Sequence, residues 1–166
     1  MEQLIVGKSL EMQLATVLNT LPPAVTVSYM VTRLNEGEEA TIVASSKETI
    51  VHTGASMVKT LILEYVFHLT AQEQLDINDT IALHRSPRVE GAGALMELAG
   101  NHSFSYLELC RLMMVLSDNW ATNLLMQALG MENINARAEQ LGLEHFEINR
   151  MMMDFKGAQE NRENYI

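Results

Sequence analysis

The first periodic stretch of the chain is helical. Leu10, Leu14, Val17, Leu18 and Leu21 recur at three- and four-residue intervals behind Ser9, a suitable N-cap, and the Pro22-Pro23 pair forbids continuation. The pattern then changes. Val25 to Leu34 is rich in β-branched residues, Asn35-Glu36-Gly37 supplies turn chemistry, and Ala40 to Ser45 resumes an apolar β-branched run, which together predict a β-hairpin. A short third strand is expected around Thr49 to His52. After Gly54 strand signals vanish and helical spacing takes over. A helix is expected over Ser56 to Leu69, then a short one after Thr70, with Glu73 at capping-box spacing. Ser105 and Glu108 repeat that spacing before Leu107 to Leu116. Gly130 and Gly142 stand where C-terminal caps would close helices at 120–129 and 132–141, and Glu90-Gly91-Ala92-Gly93-Ala94 reads as a loop entering a helix.

This pattern predicts an α+β chain. An N-terminal helix and the β-hairpin of an incomplete antiparallel sheet occupy residues 1–53, a mostly helical subdomain follows over 54–149, and a loop begins at 150–166. With 48% hydrophobic and 19% charged residues, the composition suits a globular core and excludes disorder. The net charge of −10, from 21 acidic and 11 basic residues, comes with no basic stripe, so nucleic acid is excluded as the expected partner in favour of a small molecule or protein. Apolar runs such as Leu61 to Val66 fall far short of the roughly 20 residues that span a bilayer. Met1 to Lys8 shows no charged leader, apolar stretch or small-residue cleavage site. The single cysteine, Cys110, lies in an apolar helical run and is expected to be a small buried hydrophobe. His52, His68, His84, His102 and His145 have no metal-ligand spacing, and no metal or other cofactor is expected.

Two short motifs carry candidate chemistry. Ser56-Met57-Val58-Lys59 is a Ser-x-x-Lys sequence at a helix start, a spacing that puts both side chains on one face. A lysine with its pKa lowered by burial can take the proton of a serine nucleophile, and the Ser56 N–H at the positive end of the helix is a candidate oxyanion donor. Ser117-Asp118-Asn119 follows the apolar helix ending at Leu116. Ser117 could relay a proton toward a leaving group, and the Asn119 amide could orient Lys59 and donate to a substrate carbonyl. Helix capping accounts for either motif by itself.

In this order and spacing, the two motifs make the chain resemble class A β-lactamases and other penicillin-recognising serine hydrolases. Gly91-Ala92-Gly93-Ala94-Leu95, Leu107-Glu108-Leu109-Cys110 and Ser117 through Leu125 look like consecutive segments of that family, and the likeness runs from Val25 to Ile166. It implies a β-lactamase or transpeptidase-like fold and an acyl-enzyme formed with β-lactams or D-alanyl-peptide-like amides. Ser56 would be the nucleophile, Lys59 its base, Ser117 the relay and Asn119 the substrate-binding amide. Many relatives use the position of Cys110 for a disulfide, but the usual partner position is Leu63 here, so no such bridge is expected.

The chain also departs from the family pattern. Arg150 matches the arginine of its Arg-x-Glu-x-x-Leu-Asn stretch, but the position of the water-activating glutamate falls on Met152, within a Met151-Met152-Met153 run expected to serve packing. Weak deacylation follows, with Asp154 and Glu147 the nearby carboxylates. No Lys-Thr-Gly triplet follows Ser-Asp-Asn before Ile166. The expectation is therefore an incomplete copy of the fold with an unpaired sheet edge, which truncation, a complementing C-terminal chain or self-association would explain. The rival reading is a pseudoenzyme or fragment acting as an assembly module. The same resemblance bears on location: relatives are usually exported, whereas the chain as written is expected to be cytoplasmic unless a leader has been removed.

Overall fold

The computed structural model describes residues 9–34, 36–37 and 39–166, which fall into two compact units, Met1–Ile50 and Val51–Ile166. In the first unit, α1 (Leu10–Leu18) starts at Ser9, whose hydroxyl accepts from the Met12 N–H at 3.3 Å. The helix stops short of the predicted Leu21: Asn19 caps it, before the prolines are reached. The hairpin forms from β1 (Tyr29–Arg33) and β2 (Thr41–Ser46), antiparallel with a register shift between Val31 and Thr32. Glu36 and Gly37 lie in its turn, while Asn35 lies outside the described residues.

The expected third strand at Thr49 to His52 does not form. The chain turns there instead, with the Ile50 N–H on the Lys47 carbonyl, and the extended pairing that follows joins His52 to Ile166 and Gly54 to Asn164, with an isolated bridge between Thr53 and Tyr165.

The second unit is built on helices: α2 (Val58–Ala71), α3 (Tyr106–Val115), α4 (Asn119–Leu129), α5 (Met131–Gln140) and the short α6 (Phe155–Gln159). Ile62 and Val66 of α2, Leu109 and Met113 of α3, Leu124 and Leu125 of α4 and Ile134 of α5 are fully buried together. These are the apolar stripes of the sequence, each turned inward. Cys110 belongs to the same cluster as a free buried thiol, and burial pushes its pKa up to about 11. At that value it is a packing residue.

Two expectations fail here for local reasons. No helix starts after Thr70, because Thr70 is still inside α2: its hydroxyl donates to the Val66 carbonyl at 2.8 Å, and Glu73 adopts a left-handed φ of 56° in the turn that follows. Strands do not vanish after Gly54 either. Thr80–Ala82 (β3) pairs antiparallel with Ser103–Ser105 (β4), three residues each, too short to leave an alternation in the sequence.

Ser105 ends β4 and caps α3 with the full reciprocal box: its hydroxyl accepts from the Glu108 N–H, and Glu108 accepts from the Ser105 N–H at 2.7 Å. Replacing Ser105 with Ala should lower stability by about 1 kcal/mol. Thermal or denaturant unfolding reads this as a lower midpoint, and an unchanged midpoint would show that the box carries no load.

Candidate active site

Ser56 sits in a short 3-10 turn, Ala55–Met57, that leads into α2, and its side chain is exposed. Lys59, in the first turn of α2, is 3% exposed. Its ammonium nitrogen donates to the Ser117 carbonyl at 2.9 Å, the Ser117 hydroxyl at 2.8 Å and Asn119 Oδ1 at 3.2 Å. Three acceptors use all three N–H bonds of an ammonium group. Burial nevertheless pulls the Lys59 pKa below the ordinary lysine range, opposed by the charge of Asp118.

The structure brings Ser56, Lys59, Ser117 and Asn119 together, with one difference from the sequence expectation. Lys59 makes no hydrogen bond to Ser56. The Ser117 hydroxyl stands between them, 3.4 Å from Ser56 Oγ, so the chain of groups runs Ser56, Ser117, Lys59. The cause lies in the backbone. Ser56 belongs to the 3-10 turn and Lys59 to the α-helix, and the lysine reaches across to the loop before α4. Ala55 and Ser117 both have left-handed φ, 42° and 54°, a conformation that costs a non-glycine residue roughly 1–2 kcal/mol. The strain falls beside the two hydroxyls.

Asp118 was not singled out by its chemistry in the sequence, yet it holds this loop. Its carboxylate, 1% exposed, accepts from Ala121 N–H at 2.9 Å, capping α4, and from Ala94 and Leu95 N–H at 2.7 and 2.9 Å. The Asn119 N–H donates to the Ala92 carbonyl at 3.0 Å, completing the tie to the glycine-rich loop. Gly93 is required there: its φ is 130°, and a methyl group would lie 2.3 Å from the Asp118 carboxylate. Gly91 is required at the site itself. A methyl group there would meet Asn119 Nδ2 at 2.9 Å, so the missing side chain leaves that amide open. With Oδ1 taken by Lys59, Nδ2 is the free donor of Asn119 among the described residues.

Asn123 is the other residue that sequence reading missed. It donates to the Met152 carbonyl at 3.1 Å and accepts the Met152 N–H at 2.8 Å, pinning the methionine run to α4. Arg150 pairs with Glu163 at 2.8 Å, and Asn164 Oδ1 receives the Asn149 and Arg150 N–H groups. Neither nearby carboxylate joins the site's hydrogen bonds. Asp154 caps α6 through the Gly157 N–H, and Glu147 lines a separate cavity with Glu132 and His145.

The site therefore sets an exposed serine, a second hydroxyl and a buried amine of lowered pKa in one line. The chain belongs to the beta-lactamase enzyme family, whose model matches residues 9–166. No curated protein matches it closely enough to count. Among solved structures it is similar to a beta-lactamase from Sphaerobacter thermophilus, with 26% identity and a TM-score of 0.68 over 82% of this chain and 50% of that one. It is also similar to PBP-A, with 25% identity and a TM-score of 0.71 over 92% and 55% of the two chains. A PBP-A mutant, described as an acyl-enzyme complex with penicillin G, matches at 26% identity and a TM-score of 0.73 over 93% and 55%. The chain spans about half the length of these structures.

Asp118→Ala would leave three N–H groups unpaired, two of them buried and that of Ala94 part-buried, at about 1–3 kcal/mol each. A loss of at least about 3 kcal/mol is expected in denaturant unfolding. A loss under about 1 kcal/mol would mean that the loop is held by other contacts.

Proposed function

We propose that the protein is a serine hydrolase that forms an acyl-enzyme on Ser56 with β-lactams or D-alanyl-peptide-like amides. The observation that carries the reading is the continuous chain from Ser56 Oγ through Ser117 Oγ to Lys59 Nζ. Its likeness to the penicillin G acyl-enzyme of a PBP-A mutant supports the substrate class.

In this mechanism Lys59 acts in its neutral form. Ser56 Oγ attacks the substrate carbonyl while its proton passes to Ser117 and the Ser117 proton passes to Lys59. The C–N bond then breaks, and the departing amine takes a proton back through Ser117. Asn119 Nδ2 donates to the acyl side of the substrate, in the space kept clear by Gly91. Removal of the acyl group is slow, because a thioether at Met152 cannot act as a base for water.

Incubation of the full-length protein with a penicillin should add one acyl group at Ser56, seen by mass spectrometry, and Ser56→Ala should add none. Near-stoichiometric trapping is expected, so steady multiple turnover would overturn slow deacylation. The lowered Lys59 pKa sets the sign of the pH dependence. Acylation should rise with pH as the amine loses its proton, and level off below the pH at which a free lysine titrates. Lys59→Arg should stay slow throughout, and a rate independent of pH would remove Lys59 from the role of base.

A second reading rests on the hairpin. Its two strands carry exposed Met30 and Ile42, with Leu34 exposed just beyond β1, which favours pairing or packing with further chain. Concentration-dependent assembly in light scattering supports that reading, and a monomer at all concentrations overturns it.

A further inference from the structure

Met153 is set apart from its neighbours in the methionine run. Met151 and Met152 pack against the helical core, and the Met152 main chain is tied to Asn123 in both directions. Met153 itself turns with a left-handed φ of 63°, its carbonyl accepts the Phe155 N–H at 3.0 Å, and Asp154 next to it caps α6. The backbone is therefore held on both sides of this one residue. A methyl group at Gly91 would lie 3.4 Å from Met153 Sδ, 3.2 Å from its Cε and 2.9 Å from Asn119 Nδ2. The thioether and the open amide of Asn119 thus border the same bare stretch of backbone. Beside Met153 opens a cavity of about 310 Å³, lined among others by Val89, Glu90, Met152 and Asp154, and Met153 is half-buried, within reach of a small oxidant.

We propose that Met153 is an oxidation site that controls the Asn119 amide. The oxidant is a hydroperoxide. Its O–O bond breaks, one oxygen bonds to Met153 Sδ, the sulfur loses two electrons, and hydrogen peroxide is reduced to water. A thioether is a poor hydrogen-bond acceptor, whereas a sulfoxide oxygen is a good one. Added at Sδ, that oxygen enters the space beside Asn119 Nδ2 and takes the hydrogen bond otherwise offered to substrate. Its effect on acylation rests on the reading of Ser56 given above. Its effect on Asn119 does not.

The test treats the full-length protein with hydrogen peroxide, maps added oxygen by peptide mass spectrometry, and follows the side-chain amide resonances of Asn119, assigned by their loss in Asn119→Asp. Oxygen should appear at Met153 and the Asn119 amide signals should shift. In Met153→Leu, a swap of similar volume, those signals should not respond, although the more exposed Met12, Met30, Met57 and Met114 still oxidise. Penicillin labelling of Ser56 should fall about tenfold on oxidation in the parent, the loss expected for one substrate hydrogen bond, and should not fall in Met153→Leu. The proposal is overturned if Met153 stays unoxidised, if its oxidation leaves the Asn119 signals in place, or if Met153→Leu responds as the parent does. Absence of labelling before any oxidant is added would sink the acylation reading alone, and the amide signals would still decide the role of Met153.

Discussion

The buried carboxylate of Asp118 is the contact on which the rest of the site depends. One of its oxygens caps α4, and the other gathers two N–H groups of the loop that begins at Gly91. A carboxylate this deep in the protein is tolerable only because those bonds replace its lost water. The arrangement dictates what surrounds it. Gly93 must lack a side chain, Ser117 is turned into a left-handed conformation on one side, and Asn119 begins α4 on the other.

Lys59 is placed between two opposing influences. Burial disfavours its charged form and the nearby Asp118 charge favours it, with burial the larger. The three acceptors around the nitrogen match the ammonium form, and two of them belong to Ser117; the neutral amine keeps two of these donations and turns its lone pair to the Ser117 hydroxyl. Because the amine meets Ser117 rather than Ser56, the Ser117 hydroxyl is the link between the exposed serine and the buried amine. In the reaction proposed for Ser56, this gives that hydroxyl a place at the start as well as at the departure of the leaving group.

Much of this was legible in the chain, and the failures have local causes. The capping box at Ser105 and the Ser9 cap depend only on residues three apart, and both formed as read. Thr70 with Glu73 has the same spacing but lies inside α2, where packing of Val66 and Ile62 extends the helix past it. The β3–β4 pair joins segments far apart in sequence and only three residues long, so no periodicity announced it. Asp118 had a signal, since an acidic residue before an apolar helix suggests a cap, but its bonds to Ala94 and Leu95 are long-range. Asn123 had none, because an asparagine within a helix looks like any other polar position until Met152 is brought against it.

By itself, the sequence determined the helical stripes, the hairpin, the main caps and the two motifs whose order places the chain in its family. These rest on spacing along a single chain, which local geometry translates directly into structure. The tertiary structure decided that Ser117 stands between Ser56 and Lys59, that Asp118 anchors the loop, that Gly91 keeps the Asn119 amide clear, and that Met153 borders the same space. Each of those is a contact between segments distant in sequence, set by how the helices pack around one buried charge, and no periodicity along the chain encodes it.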